Sequence, residues 1–373
     1  MSLEKEISDA RHNVHTDSYP MSIGELINLY KDGEIEIHPE FQRFYRWTET
    51  QKSKLIESIL LSIPLPSIFV AQREDGVWDV VDGLQRLSTI FSFMGVLKDE
   101  KGEETSPLVL LGTKYLPSLE GKVWEDKHNK DREIDIDIRR VFKREKIDLK
   151  IIKRESGRDT KLELFQRLNT GGSKLSDQEV RNCIILMIDT KSYRWLDDLS
   201  KNHDFLATTP ISDKQSVECY AQELVLRFIV QRNFDEELRK VNKDVGPYLD
   251  AETARLLDPQ DSPIDFSQEK EIFEKTFSIL NKSLGEDAFK KYNHDKNKRQ
   301  GAVSIPVFEA LSTGVSKYIE ENPSFDSDYL IKKCEEASLE LTRHVNFTDI
   351  LSNATRPIDR FKIMRDLGVG LIK

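Results

Sequence analysis

The chain predicts an α+β protein, with strands and helices mixed in its N-terminal half and an all-helical C-terminal half. Short β-branched or alternating stretches at residues 67–72, 77–81 and 147–151 read as strands, and helical spacing of apolar residues separates them. After about residue 190 the strand signal fades. Only helical periods remain, as in Leu224 with Phe228 and Ile272, Phe273, Phe277 and Leu280. The polar stretch from Pro259 to Pro263 interrupts them as a loop. A boundary is expected near Ser192, giving domains 1–191 and 192–373.

In chain order, residues 21–30 predict a short helix with Ile23, Leu26, Ile27 and Tyr30 on one side, followed by a brief strand at 34–37. Thr48 and Gln51 have the spacing of a capping box before a helix carrying Leu55, Ile56, Ile59 and Leu60, which Pro64 and Pro66 stop. Glu74, Asp75 and Gly76 predict a hairpin turn between two strands. Residues 98–105 and 121–133 are polar and read as surface insertions. Asp159 is placed to cap a helix through Leu168, and Ser176 to cap another carrying Val180, Cys183, Ile184 and Met187.

With 373 residues the chain can form two domains with proper cores. No run approaches the roughly 20 apolar residues that cross a bilayer, the start is charged, and the three cysteines are widely spaced. These features predict a cytoplasmic protein without a membrane span or a cysteine zinc cage. The net charge of −10 argues against coating nucleic acid through an overall field. Local patches stay open. Eight basic residues lie between Arg139 and Arg154, in a tract that reads as a strand with one polar face. Lys290, Lys291, Lys296, Lys298 and Arg299 form a second cluster, in an expected loop, opposed only by Asp295. Each is either a solvated surface or a phosphate contact.

The most informative segment is Val80-Val81-Asp82-Gly83-Leu84-Gln85-Arg86, where an apolar strand meets a helix carrying Leu87, Ile90, Phe91 and Met94. Gly83 permits close backbone approach, and the helix start offers N–H groups to an anion. Arg86 can grip two phosphate oxygens and Gln85 can orient a water. Asp82 beside a phosphate must hold a metal, cap the helix or take a proton. The plainer reading is a helix-start turn with Arg86 on a solvated face. A second box, Pro39-Glu40-Phe41-Gln42-Arg43-Phe44-Tyr45-Arg46-Trp47, interleaves aromatic rings with cations, which suits either a nucleotide or a set of core anchors. A third, Phe165-Gln166-Arg167-Leu168-Asn169-Thr170-Gly171-Gly172, ends a helix at paired glycines.

Together the three boxes resemble the N-terminal domain of the GmrSD-type modification-dependent restriction endonucleases, a family related to the ParB and sulfiredoxin nucleotide-binding fold. Pro39, Gln42, Arg43 and Trp47 match its first box. Asp82, Gly83, Gln85 and Arg86 match its Asp-Gly-Gln-Gln-Arg hallmark, with Leu84 replacing the first Gln. Phe165, Leu168, Asn169, Thr170, Gly171 and Gly172 match the third. The resemblance implies a ParB-like nucleotide-binding domain over 1–191 and a helical domain beyond.

It also implies an NTP-binding and NTP-hydrolysing component of a prokaryotic DNA restriction or phage-defence system. Asp82, Gln85 and Arg86 would be catalytic, and Gln42, Arg43, Gly83, Asn169 and Thr170 would bind nucleotide. Asp82 would hold Mg²⁺, and DNA would be a partner. Leu84 removes one contact that turnover could use, so the alternative is a non-catalytic DNA-binding or regulatory subunit using the same pocket. DNA cleavage by this domain, with Asp82 and Glu40 as metal ligands, is a third possibility. The isolated His203, His294 and His344 do not compose a His-Asn-His nuclease, so a separate nuclease subunit is expected.

Overall fold

The computed structural model describes residues 3–4, 15–37, 47–99, 101–156, 176–242, 244–345, 347 and 357–373. The chain divides into two compact units, Met1–Lys174 and Leu175–Lys373. Among the described residues the first contains a five-stranded mixed sheet and the second is helical apart from one short hairpin.

The first unit opens with β1 (Thr16–Ser22), which pairs antiparallel with β5 (Lys146–Ile152) along its whole length. Met21 and Ser22 therefore end a strand instead of starting a helix. Ser22 caps α1 (Ile23–Lys31) by accepting a bond from the Glu25 N–H at 3.2 Å. The sequence concealed β1 because its first five residues are exposed and include Pro20; an edge strand tolerates both. After β2 (Ile35–Glu36) comes α2 (Glu49–Leu60), with the expected Thr48–Gln51 capping box.

The antiparallel pair β3 (Ile68–Gln72) and β4 (Trp78–Asp82) turns at Gly76. The sheet order β1-β5-β3-β4-β2 makes β3 and β4 interior strands, with β5 parallel to β3 and β2 parallel to β4. That position explains the apolar character of Val70, Val80 and Val81, all buried. From β4 the chain passes through Gly83 into α3 (Leu84–Phe93), whose Leu87, Ile90 and Phe91 are fully buried. Burying each contributes roughly 2 kcal/mol.

Two further expectations for the first unit need correction. The basic tract from Arg139 is half helix: Arg139, Arg140, Lys143 and Arg144 lie on α4 (Ile136–Arg144), and only the part from Lys146 is strand. Arg139 is paired with Glu125 at 2.6 Å and Arg140 with Asp137 at 2.8 Å, so the tract is not one cationic strand face. The polar segment 121–133 is not wholly a surface insertion either. It delivers Trp124 into the core, edge-on to Phe93 and beside Phe142.

In the second unit, α5 (Asp177–Ile188) begins with a Ser176–Glu179 capping box and is followed by α6 (Thr190–Ser200), which contains Ser192. Then come α7 (His203–Thr208), α8 (Asp213–Val217), α9 (Tyr220–Arg232), α10 (Glu236–Val241), α11 (Val245–Leu256) and α12 (Phe266–Leu284). Residues 290–299, expected as a loop, carry an antiparallel hairpin of β6 (Lys291–Asn293) and β7 (Lys298–Gln300). Helices α13 (Ile305–Glu321), α14 (Ser327–Leu341) and α15 (Pro357–Ile372) complete the unit. Among the described residues no helix is long and apolar enough to cross a membrane.

One buried carboxylate fastens the long connection after α3. Glu57 of α2 accepts bonds from the N–H groups of Tyr115 at 3.0 Å and Leu116 at 3.2 Å, and from the Thr113 hydroxyl. The Thr113 bond, then these backbone donors, hold its carboxyl below the ordinary value. The folded state thus favours the anion, so this stability is present above the unfolded pKa and is lost as pH falls through the lower, folded one. Glu57→Gln should lower the urea midpoint at neutral pH, with the gap from wild type closing as pH falls below the carboxylate range. A gap of constant size would show that the charge contributes nothing.

Candidate functional site

The Asp82–Arg86 segment forms the junction between an interior strand and a buried helix. Asp82 is the last residue of β4, and Gly83 takes φ +98°, ψ 12°, a left-handed conformation that L side chains rarely adopt. Space restricts the position as well. A Cβ on Gly83 would lie 2.8 Å from Ile68 Cγ1 and 3.2 Å from Arg86 Nη2. Glycine is required here for both backbone and packing reasons. Having no side chain, it leaves α3 without a side-chain cap, and the first turn of the helix contains no acid to repel an anion.

Arg86 is only 11% exposed and is held on three sides. Its Nη2 donates to Asp82 Oδ2 at 2.9 Å and to the Ser67 carbonyl at 3.2 Å, and its Nη1 donates to the Pro66 carbonyl. One guanidinium thus joins the end of β4, the turn leading into β3 and the first turn of α3. Burial pushes its pKa down from the usual arginine value while Asp82 opposes the shift, and an arginine remains charged throughout. The solvated-face reading of Arg86 does not describe this geometry. Asp82 is the more accessible partner, at 31%.

Gln85 Oε1 accepts a bond from the backbone N–H of Trp47 at 3.3 Å. This ties the last residue of the first box to the central motif, 38 positions away. Leu84 packs against the hydrophobic core, so the residue that departs from the family pattern serves the interior. The other residues singled out from sequence, Gln42, Arg43, Asn169 and Thr170 together with Glu40, lie outside the described residues.

Among the described residues no group of three or more His, Cys, Asp or Glu side chains is placed to hold a metal. A cation at this junction would have Asp82 as its protein ligand and take further oxygens from a bound phosphate, a donor set that suits Mg²⁺. An apolar groove of about 600 Å³, lined by Leu60, Leu116, Ile138 and Val141 among others, includes no motif residue. Its one cation, Lys122, already donates to the Asp131 and Glu133 carbonyls, and its other charged lining residues, Glu133, Asp135 and Asp137, are acids that disfavour a phosphate.

Sequence reading passed over a polar face on α5, where Gln178, Glu179, Arg181 and Asn182 are all buried. Arg181 Nε donates to Asp250 at 2.7 Å and its Nη1 to Gln178 at 3.3 Å; Gln178 in turn donates to Asn182 at 2.9 Å. Gln222 continues the chain to Asp197 at 2.9 Å. The available signal was four polar residues at helical spacing beside an apolar run, a pattern that an exposed face also produces.

The strand–glycine–helix junction, with its paired carboxylate and guanidinium, is of a class suited to handling phosphate-bearing ligands. Residues 23–186 match the family model described as GmrSD restriction endonuclease, N-terminal domain. Over these residues, somewhat under half of the chain, the protein is similar to that domain family, which indicates a restriction or phage-defence component. The match includes the whole central motif and ends within α5, past its buried polar residues. No curated protein and no solved structure matches the chain.

Two stability predictions follow from this geometry. Gly83→Ala should cost about 2 kcal/mol through backbone strain and the Ile68 clash, read from the urea midpoint; an unchanged midpoint would mean that the turn relaxes freely. Arg181→Ala should cost about 3 kcal/mol, because it strips a buried donor from Asp250 and Gln178.

Proposed function

We propose that the first unit is a ParB-like nucleotide-binding domain that binds Mg²⁺–NTP at the β4–α3 junction and hydrolyses it. In this role it serves a DNA restriction system whose nuclease is a separate subunit. The observation that carries the reading is the left-handed, sterically enforced Gly83 at an uncapped helix start, flanked by Asp82 and Arg86.

Arg86 and Asp82 neutralise one another in the absence of ligand. An arriving phosphate competes with Asp82 for Nη2; the displaced carboxylate would be the residue to hold Mg²⁺, which would supply further charge neutralisation. The Pro66 and Ser67 carbonyls keep the guanidinium in place through this exchange. Gln85, fixed by Trp47, orients the attacking water. Gln42, Arg43, Asn169 and Thr170 complete the nucleotide contacts in this reading, and DNA is the partner on which the system acts.

Two observations favour a second reading, nucleotide or phosphate binding without turnover. Leu84 is committed to the core, and Arg86 already has three internal partners. Phosphate release from ATP, GTP, CTP and UTP with Mg²⁺, with and without DNA, separates the two. The first reading expects release by wild type and a loss of roughly a hundredfold or more in folded Asp82→Asn and Arg86→Lys proteins. Nucleotide binding with no release under any condition would replace hydrolysis by the second reading. Release unaffected in both variants would remove this junction as the site.

A further inference from the structure

We propose that the β6–β7 hairpin of the second unit is a duplex-DNA contact, with Lys291, Lys296 and Lys298 taking backbone phosphates. The inference rests on the reading above that DNA is a partner, and adds the element that grips it.

The pairing register gives the hairpin two different faces. Tyr292 lies opposite Arg299 on one face, while Lys291 opposite Gln300 and Asn293 opposite Lys298 share the other. The first face is anchored. Arg299 Nη2 donates to Ser338 Oγ of α14 at 2.6 Å and stacks 5.7 Å from the Tyr292 ring centre, and His294 Nε2 lies 3.0 Å from Thr342 Oγ1 just beyond that helix. The tip is fixed too: Asn293 Oδ1 accepts from the Lys296 N–H at 2.9 Å, the Tyr292 hydroxyl bonds Asn297, and Asn297 adopts φ +48°.

The second face and tip therefore present their side chains from a rigid ribbon, which reduces the ordering cost of binding. Lys291, Lys296, Lys298 and Gln300 are exposed. Lys290 is neutralised by Asp287 at 2.8 Å, but Lys291, Lys296 and Lys298 have no ion pair among the described residues. Asp295 is the one acid in the hairpin.

Three unpaired ammonium groups on a rigid ribbon form a local attraction for a polyanion in a chain whose net charge of −10 otherwise repels one. Along the ribbon, Lys291 and Lys298 are two residue steps apart, about 7 Å, so both can reach one phosphate backbone. A two-stranded ribbon also fits the major groove of B-form DNA, where Gln300, paired opposite Lys291, can meet base edges.

The test is fluorescence anisotropy of the full chain with a 20-base-pair duplex across a salt series. Wild type is compared with the triple Lys291→Ala, Lys296→Ala, Lys298→Ala protein and with a control, Lys214→Ala, Lys240→Ala, Lys270→Ala. The expected result is at least tenfold weaker binding by the hairpin variant and a salt slope reduced by about 2 to 3, with the control and both melting curves unchanged. A hairpin variant that binds like wild type, or a control weakened equally, would overturn the inference while leaving DNA as a partner. Preference for single-stranded RNA over the duplex would also overturn it. Wild-type protein that binds no nucleic acid would remove the DNA reading itself.

Discussion

The first unit depends on the Arg86 guanidinium. It ties together three backbone segments that are not consecutive: the turn before β3, the end of β4 and the start of α3. Its partners are two carbonyls and a carboxylate, and the helix it belongs to starts with no side-chain cap. Because two of its three partners are backbone carbonyls and the third is a side chain that can turn away, the charge is held rigidly yet has one contact that a ligand can replace. A surface arginine would have to be ordered when the phosphate arrives; this one is ordered in advance.

Gly83 makes that arrangement possible. Its positive φ directs the chain from strand to helix within one residue, and the missing Cβ leaves room for Ile68 and Arg86 together. The structural and proposed chemical roles of the segment therefore coincide, which is why variants that conserve charge or shape are needed to separate them. Leu84 shows the same overlap. Its side chain supports the hydrophobic core from a position where relatives, by the resemblance, carry an amide.

The elements surrounding the junction were legible because each has a strong local cause: the Thr48 and Ser176 capping boxes, the Gly76 hairpin, and the helical spacing of Leu87, Ile90 and Phe91. What was illegible depended on partners distant in sequence. β1 is a strand because β5 pairs with it, Trp124 is core because Phe93 and Phe142 receive it, and the 290–299 segment is a ribbon because α14 anchors Arg299. Within the motif, sequence named Asp82, Gln85 and Arg86 as neighbours. It could not show that Arg86 reaches back to Pro66 and Ser67, or that Gln85 meets Trp47. The buried polar face of α5 escaped notice because a solvated face has the same residue pattern.

The most direct measurement is a crystal structure of the protein with Mg²⁺ and a non-hydrolysable nucleoside triphosphate analogue. The account predicts phosphate at the start of α3, Arg86 bonded to it in place of Asp82, Asp82 turned to the metal, and the Pro66 and Ser67 contacts retained. Nucleotide bound elsewhere, or bound at the junction with the Asp82–Arg86 pair intact and no metal on Asp82, would contradict it.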